Sequence, residues 1–285
     1  MPINFDFLPS FPEIKNDRFY KFSRFDNSEY WKDYYSKKLK SNDVGREKKY
    51  AQLLSSYLPK NAKIAEMASG IGFLSKELDK VGLRVTAIDL FDDMIKEAKK
   101  YLRGTNVKFL KKDISETGLP DESYDCVSAM SIIEHVSKDE VIDNVIPEFK
   151  RILKKDGYLF IHVPVKSSYS VFVKFLRKYI YRDLPEWAID DDGDITHRFW
   201  ISYKEYIKMF EDQGFKLINY DFYLTRSHLR PQILSVIMKK IQSILEITDV
   251  KFTRTIDQEP INIKILKDIK GNLSLTSYFL LKKVD

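Results

Sequence analysis

The stretch of residues 63–90 constrains the fold of this chain more than any other. An apolar run is followed by a loop that carries Gly70 and Gly72, then by apolar residues at helical spacing, and then by a second β-branched run that ends on Asp89. Helical spacing between two short β-branched runs is typical of alternating elements. The pattern predicts a strand, a turn, a helix and a second strand in succession.

The loop in this unit has the properties of a nucleoside-binding site. Gly70 and Gly72 have no Cβ, so the backbone can approach a ligand closely there. The helix that follows directs its amide donors and the positive end of its dipole at the same place. Asp89 lies 17 residues after Gly72, at the end of the second strand, where a carboxylate can accept hydrogen bonds from ribose hydroxyls.

Glu66, just before the turn, indicates which nucleoside is bound. Its carboxylate would repel a pyrophosphate and attract an ammonium group. The order of an acid followed by alternating small residues resembles the first motif of the class I S-adenosylmethionine-dependent methyltransferases. Ala68 stands where that family usually has its first glycine, which makes the turn sterically more demanding.

The resemblance extends over residues 63 to about 165 and implies a set of cofactor-binding residues. Met94 matches a position whose apolar side chain flanks the adenine ring, and Asp113 matches one that accepts a hydrogen bond from the adenine amino group. The amide after Asp113 would serve a ring nitrogen. The full implied set is Glu66, Ala68, Gly70, Gly72, Asp89, Leu90, Met94, Asp113, Ile114 and Ser131.

The resembled fold is α/β. It implies a doubly wound, mostly parallel seven-stranded sheet with an antiparallel last strand, helices on both faces and helical lid insertions. Residues 215–223 and 275–284 correspond to the sixth and seventh strands. We expect a single domain of 1–285, in which the parts are an N-terminal cap (1–45), the cofactor-binding core (46–165), a lid insertion (166–199), the end of the core (200–223 and 275–285) and a second insertion (224–274).

Length and composition agree with one globular domain. The chain has 285 residues and a net charge of +6, an excess too mild to demand a nucleic-acid partner. Cys126 is the only cysteine, so an internal disulfide is excluded. The N-terminus lacks a secretory pattern and no apolar run approaches 18 residues, which predicts a cytoplasmic protein.

Two histidines are candidate catalytic residues. The sulfonium of the cofactor already activates its methyl group, so the protein aligns the acceptor, excludes water and, for a hydroxyl acceptor, removes a proton. His135 matches the catalytic histidine of methyltransferases resembling the phosphoethanolamine type, and many family members have a histidine at the position of His197. We expect O-methylation of a small-molecule acceptor, with His135 as base and His197 in support. His162, on an apolar strand, is predicted to be structural.

A metal is not predicted. Residues 131–135 partly resemble the Glu-x-x-Glu-His cluster of the ubiquinone-pathway O-methyltransferases, in which a divalent ion orients the acceptor hydroxyl. Ser131 replaces the first glutamate, which removes one hard oxygen ligand.

The insertions leave the acceptor open. Residues 171–182 form an amphipathic pattern with a basic polar face, which fits either a lid over the active site or peripheral contact with a membrane. An N-methyltransferase, or one acting on a lipid-linked or glycan acceptor, is therefore the alternative. A reductase of the short-chain dehydrogenase type and a non-catalytic binding protein are more distant ones. Residues 224–274 either cover the substrate or form an oligomer, and the oligomeric state stays open.

The resemblance implies a further role for the N-terminal segment, because an N-terminal helix often covers the cofactor in the resembled family. A helix from Glu29 to Leu39 would present aromatic side chains, with Tyr20, Tyr30 and Trp31 as candidates for contact with the substrate side. A second helix, residues 48–58, leads into the first strand. We find no appended RNA-binding module and expect no nucleic-acid partner.

Overall fold

The computed structural model describes residues 35, 36, 38–40, 44–167, 199, 201–223 and 276–284. Its helices are α1 (Gly45–Tyr57), α2 (Phe73–Lys80), α3 (Asp92–Tyr101), α4 (Lys138–Glu140), α5 (Ile146–Ile152) and α6 (Tyr203–Asp212). Its strands are β1 (Lys63–Met67), β2 (Arg84–Asp89), β3 (Lys108–Lys111), β4 (Tyr124–Met130), β5 (Leu153–Pro164), β6 (Phe215–Tyr223) and β7 (Thr276–Lys283). A 3₁₀ turn (Ile133–His135) follows β4, and a π turn (Val141–Val145) joins α4 to α5.

The strands form one seven-stranded sheet in the order β3-β2-β1-β4-β5-β7-β6. Strands β1 to β5 are parallel, and β7 runs antiparallel to both of its neighbours. This confirms the mostly parallel sheet with an antiparallel last strand. Because the carboxyl ends of parallel strands meet at one edge, the loops after β1, β2, β3 and β4 come together there. We call this edge the strand-end edge.

Apolar side chains fill both faces of the sheet, which explains why the strands read as nearly continuous hydrophobic runs. On one face, Ile64 and Phe160 pack beneath α1 and α2, whose inward residues include Leu54 of α1 and Leu74 of α2. On the other face, the core cluster contains Met67, Val127, Ile161, Val141, Phe149, Tyr206 and Phe210, the last four from the π turn, α5 and α6. Alternate residues of each strand therefore serve opposite layers.

Two element boundaries differ from the sequence predictions. Helix α1 begins at Gly45 rather than Lys48, with Glu47 in its first turn, where an acid favours the positive end of the helix dipole. Strand β5 begins at Leu153, before the apolar run that starts at Gly157 in the sequence, because Leu153 already pairs with Tyr124 before an irregularity shifts the register. The intervening residues carry a left-handed backbone at Asp156, a bulge that sequence periodicity does not predict.

The predicted N-terminal cap and both predicted insertions lie largely outside the described residues. The division of the chain into core, cap and lids therefore stays a prediction. Within the part of the chain that the structure describes, none of the helices combines the length and apolar character needed to cross a membrane.

Glycines bracket helix α2 with nearly identical backbones but different surroundings. Gly72 is its N-cap at φ +83°, and Gly82 follows its C-terminus at φ +84°. A Cβ on Gly72 would lie 2.5 Å from Cδ1 of the buried Leu102, whereas a Cβ on Gly82 would have no atom within 4 Å. The two positions share the same backbone strain, and only one has a packing constraint.

We therefore expect Gly72→Ala to destabilise the protein more than Gly82→Ala does. Both variants force alanine into the left-handed region, which costs about 1–2 kcal/mol. Only Gly72→Ala also displaces Leu102, which adds about 1–3 kcal/mol for an overpacked core. Urea unfolding of the two variants measures this difference, and equal losses would contradict the packing constraint at Gly72.

Candidate cofactor and active site

The loop after β1 has a left-handed backbone at three alternating residues. Ala68, Gly70 and Gly72 have φ values of +49°, +56° and +83°. Two backbone hydrogen bonds of 2.9 Å hold the loop, from Ser69 N to Ile88 O and from Gly72 N to Ser69 O. Ala68 thus accepts a conformation that alanine disfavours, as its position in the motif predicts. The loop turns sharply at the strand-end edge and leads directly into α2.

Asp89 ties this loop to the end of β2. Its side chain is buried, and Oδ2 accepts a 2.8 Å hydrogen bond from Gly70 N while Oδ1 accepts one of 3.0 Å from Phe91 N. Burial raises the pKa of the carboxyl, and the amide donors partly offset this by favouring the ionised form. An ionised carboxylate has about four acceptor sites, so the side chain keeps acceptor capacity for a ligand hydroxyl. Asp89 thus fits the predicted ribose role.

Glu66 is buried beside the same loop and is held by Ser75 of α2. Its Oε2 accepts a hydrogen bond from the Ser75 hydroxyl, and its exposed fraction is only 4%. Burial, with a smaller contribution from the nearby acids Glu47 and Asp89, raises the pKa of Glu66 to about 8. At neutral pH the free protein therefore holds this group mostly protonated. A cationic ligand would favour the ionised form and release the proton.

Glu47 of α1 remains ionised because cations surround it. Lys38 Nζ lies 2.7 Å from Glu47 Oε1, and Arg46 lies 2.9 Å from the same oxygen. Although burial acts to raise the pKa of Glu47, these two cations bring it below its usual value. The buried negative charge beside Glu66 is therefore stable.

Tyr35 covers the glycine loop, a contact that sequence reasoning missed. A Cβ on Gly70 would collide with the Tyr35 hydroxyl, so glycine is required for this approach. The ring of Tyr35 lies 6.1 Å from that of Phe73, centroid to centroid. Tyr35 lies on the N-terminal helix predicted from the sequence, and residues 35, 36 and 38–40 are helical. The aromatic candidates named for this role, Tyr20, Tyr30 and Trp31, lie outside the described residues.

The two predicted adenine-side residues after β2 lie in different surroundings. Leu90 is 50% exposed, whereas Met94 is 2% exposed. Met94 packs in a small apolar cluster with Ile71 and Phe73. Leu90 is thus accessible to a ligand at the strand-end edge, and Met94 is part of the core beneath the loop. Its contact with adenine stays a prediction.

The predicted residues after β3 also lie at the strand-end edge. Asp113 is exposed, and its Oδ1 accepts hydrogen bonds from Ser115 N at 2.9 Å and Ser115 Oγ at 2.8 Å. Ile114 is half-buried against the main core cluster. The Ser115 contacts hold the Asp113 carboxylate, which remains accessible to an adenine amino group.

His135 ends the 3₁₀ turn that follows β4, and only 8% of it is exposed. Its neighbour Glu134 is buried, and burial raises the pKa of that carboxyl to about 8. Among the described residues no three acids, histidines or cysteines gather into a group able to hold a metal ion. The other candidate catalytic residue, His197, lies outside the described residues, so its proximity to His135 stays a prediction.

A contact between one serine and one histidine joins the ends of β4 and β5. Ser131, exposed at the strand-end edge, has its hydroxyl 3.2 Å from Nδ1 of His162. His162 is buried on β5, and burial lowers the pKa of its imidazole well below the usual value. The burial agrees with the predicted structural role of His162. The contact with Ser131 was not predicted, because nothing in the local pattern relates residues 31 positions apart.

The raised pKa values of Glu66 and Glu134 predict a stability that falls as pH rises. In the unfolded chain both groups ionise near their usual pKa, whereas in the folded protein they keep their protons until about pH 8. The folded state therefore binds more protons in this window, and each group lowers the free energy of unfolding by up to about 1.4 kcal/mol per pH unit. This loss of unfolding free energy is absent below the pKa that each group has in the unfolded chain, and it is complete above pH 8.

Urea unfolding between pH 6.5 and 8.5 measures this slope. We expect Glu66→Gln and Glu134→Gln each to flatten it, because glutamine keeps the neutral form at every pH. Glu148→Gln is the matched control, since hydrogen bonds from Arg151 and Thr117 hold the pKa of Glu148 below its usual value. A slope unchanged in the double Glu66/Glu134 variant would contradict this origin.

Known proteins resemble this chain in sequence over its central part. A family model described as a methyltransferase domain matches residues 65–161. The ubiquinone/menaquinone biosynthesis C-methyltransferase of Campylobacter jejuni is 27% identical over 195 residues, which cover 62% of this chain and 81% of that protein. The ubiquinone biosynthesis O-methyltransferase of Pelagibacter ubique is 34% identical over 128 residues, which cover 44% of this chain and 52% of that protein.

Solved structures share the fold. An S-adenosylmethionine-dependent methyltransferase from Archaeoglobus fulgidus superposes with a TM-score of 0.55 at 16% identity, covering 88% of this chain and 99% of that chain. One from Methanosarcina mazei gives a TM-score of 0.54 at 18% identity, covering 81% and 97% respectively. Residues 65–161 thus match a methyltransferase domain, and the sheet has the class I (Rossmann-like) fold of these S-adenosylmethionine-dependent methyltransferases.

Proposed function

We propose that this methyltransferase transfers its methyl group to a hydroxyl of a small-molecule acceptor, with His135 as the general base. One observation carries the proposal. His135 ends the turn that directly follows β4, at the same edge of the sheet as Gly70, Asp89 and Ser131. A group able to accept a proton therefore lies beside the residues that suit the cofactor.

The cofactor supplies a methyl group that its sulfonium makes ready for displacement. The chain supplies alignment, exclusion of water and removal of a proton. A hydroxyl becomes a strong nucleophile as its proton leaves, and a histidine suits this step because it exchanges protons near neutral pH. His197 would support His135 from the segment before α6.

In this proposal, each acid of the strand-end edge binds a different part of the cofactor. Asp89 accepts hydrogen bonds from the ribose hydroxyls, and Asp113 accepts one from the adenine amino group. Glu66 faces the ammonium group after losing its proton. Tyr35 covers the turn at Gly70 and limits access of water to the site.

The names of two relatives leave two kinds of methylation to compare. One is named as an O-methyltransferase and the other as a C-methyltransferase, both of ubiquinone biosynthesis. C-methylation is therefore the second candidate, since a base beside the cofactor also suits an acceptor whose hydroxyl is ionised. An N-methyltransferase, or one with a lipid-linked or glycan acceptor, remains the alternative expected from residues 171–182, which lie outside the described residues.

We expect Asp89→Ala to weaken binding of S-adenosylhomocysteine by at least about 30-fold, because the ribose loses its acceptor and the loop loses its tie to β2. The amides of Gly70 and Phe91 also lose their partner, which lowers the free energy of unfolding by about 1–3 kcal/mol. Calorimetric titration measures the affinity. Asp212→Ala, at the exposed end of α6, is the control and should bind as the wild type does. Retained affinity in Asp89→Ala would contradict the ribose role.

His135→Ala should lower kcat by about 100-fold or more while changing the affinity for S-adenosylhomocysteine less than about twofold, as general-base loss predicts. The assay supplies S-adenosylmethionine with a panel of catechols and alkyl hydroquinones and follows formation of S-adenosylhomocysteine. Lys138→Ala, exposed on α4 three residues away, is the matched control. A parallel loss of cofactor binding in His135→Ala would make His135 structural.

Nuclear magnetic resonance of the product with a ¹³C-labelled methyl group separates the two candidate reactions. A methyl carbon bonded to oxygen supports O-methylation, and one bonded to a ring carbon supports C-methylation. Absence of turnover with every hydroxylated acceptor, together with turnover of an amine, would overturn the proposal in favour of N-methylation.

A further inference from the structure

Ser131 occupies a constrained position where β4 ends. Its backbone is left-handed at φ +52°, and its amide donates a 2.8 Å hydrogen bond to the carbonyl of His162. Its hydroxyl lies 3.2 Å from Nδ1 of the same residue. Two contacts with one β5 residue therefore determine both the backbone and the side chain of Ser131.

His162 is a neutral, immobile partner. It is 1% exposed, pairs with Met130 and Tyr278 in the sheet, and its ring lies 5.7 Å from that of Tyr50. Burial disfavours a charged imidazole, and the nearby cations Arg46 and Lys38 add to this effect. The neutral ring carries one hydrogen, on either Nδ1 or Nε2.

The position of that hydrogen decides what Ser131 can do. Nε2 is buried and has no hydrogen-bond partner among the described residues. A buried N–H donor without an acceptor is rarer and more costly than a buried nitrogen acceptor without a donor. The hydrogen is therefore better placed on Nδ1, from which it donates to Ser131 Oγ. The hydroxyl hydrogen of Ser131 then points away from His162, and Ser131 is exposed at the strand-end edge.

A side-chain donor at this position complements the acids of the strand-end edge. The charged side chains that are implied in cofactor binding at this edge are all acids: Glu66, Asp89 and Asp113. An ionised acid accepts hydrogen bonds and cannot donate them. The carboxylate of the amino-acid part of S-adenosylmethionine has acceptors only. Among the implied cofactor residues, only Ser131 carries a hydroxyl group, and the oxygen of that hydroxyl already has a partner in His162.

We propose that His162 is a positioning residue, which orients the Ser131 hydroxyl so that it donates a hydrogen bond to the carboxylate of the bound cofactor. The inference rests on the S-adenosylmethionine dependence of the domain. It assigns a role in ligand binding to a residue that is buried beneath the edge and touches no ligand itself.

Calorimetric titration with two ligands tests the inference. S-adenosylhomocysteine carries the amino-acid part, and 5′-methylthioadenosine lacks it. We expect Ser131→Ala to weaken the binding of S-adenosylhomocysteine about tenfold, because one hydrogen bond to a charged group is lost. The affinity for 5′-methylthioadenosine should not change. Ser128→Ala, the same substitution three residues earlier on β4, is the matched control and should bind both ligands as the wild type does.

The His162 variants test whether it acts through Ser131. His162→Leu should weaken the binding of S-adenosylhomocysteine as much as Ser131→Ala does. The double variant should lose no more affinity than either single variant, because the two residues act as a unit. His162→Asn should restore most of the affinity, since an asparagine amide can donate from near the Nδ1 position. A merely structural histidine would lower the unfolding midpoint in both variants without this rescue.

Several outcomes would overturn the inference. Wild-type affinity in Ser131→Ala or in folded His162→Leu would do so, and so would equal losses for both ligands. If His162→Leu fails to fold, Ser131→Ala and His162→Asn still test the inference. A tenfold loss of affinity for S-adenosylhomocysteine in His162→Asn would contradict the expected rescue. A wild-type protein that binds neither ligand would instead refute the cofactor assignment on which the inference rests.

Discussion

The carboxylate of Asp89 is the interaction on which the cofactor site depends. It accepts hydrogen bonds from the amides of Gly70 and Phe91, and thereby joins the loop after β1 to the end of β2. These two segments are neighbours in the sheet but distant in the chain, and the loop adopts a left-handed backbone that needs an external tie. The group that is suited to accept ribose hydroxyls thus also shapes the loop, so ligand affinity and stability are linked at this residue.

Buried acids concentrate around the same site at a cost in stability. Glu66 lies beneath the glycine loop and Glu134 beside His135, and both have pKa values raised to about 8. Burial of a carboxyl is unfavourable for its ionised form, so a domain selected only for stability would not place two of them there. Glu47 shows the other solution, since Lys38 and Arg46 neutralise its charge directly. The difference suits Glu66 to a cationic ligand that is absent from the free protein.

The end of β4 carries the second half of the site. Ser131 is held by His162, and the 3₁₀ turn to His135 begins two residues later. Because β4 lies between β1 and β5, this junction borders the glycine loop on one side and the buried histidine on the other. The sheet order thus brings a candidate base and a candidate donor to the residues that suit the nucleoside.

The sequence by itself determined the parts whose signals are local. Two β-branched runs, the glycines between them and the terminal Asp89 predicted the β1-loop-α2-β2 unit, and the resemblance carried by these residues implied the mostly parallel sheet and a cofactor role for Ser131. Tertiary structure alone decided that Tyr35 covers Gly70 and that His162 holds Ser131. It also placed the bulge that begins β5. Each of these depends on side chains from separate elements meeting across the sheet, and a contact between distant residues leaves no period or spacing in the chain that a local pattern could reveal.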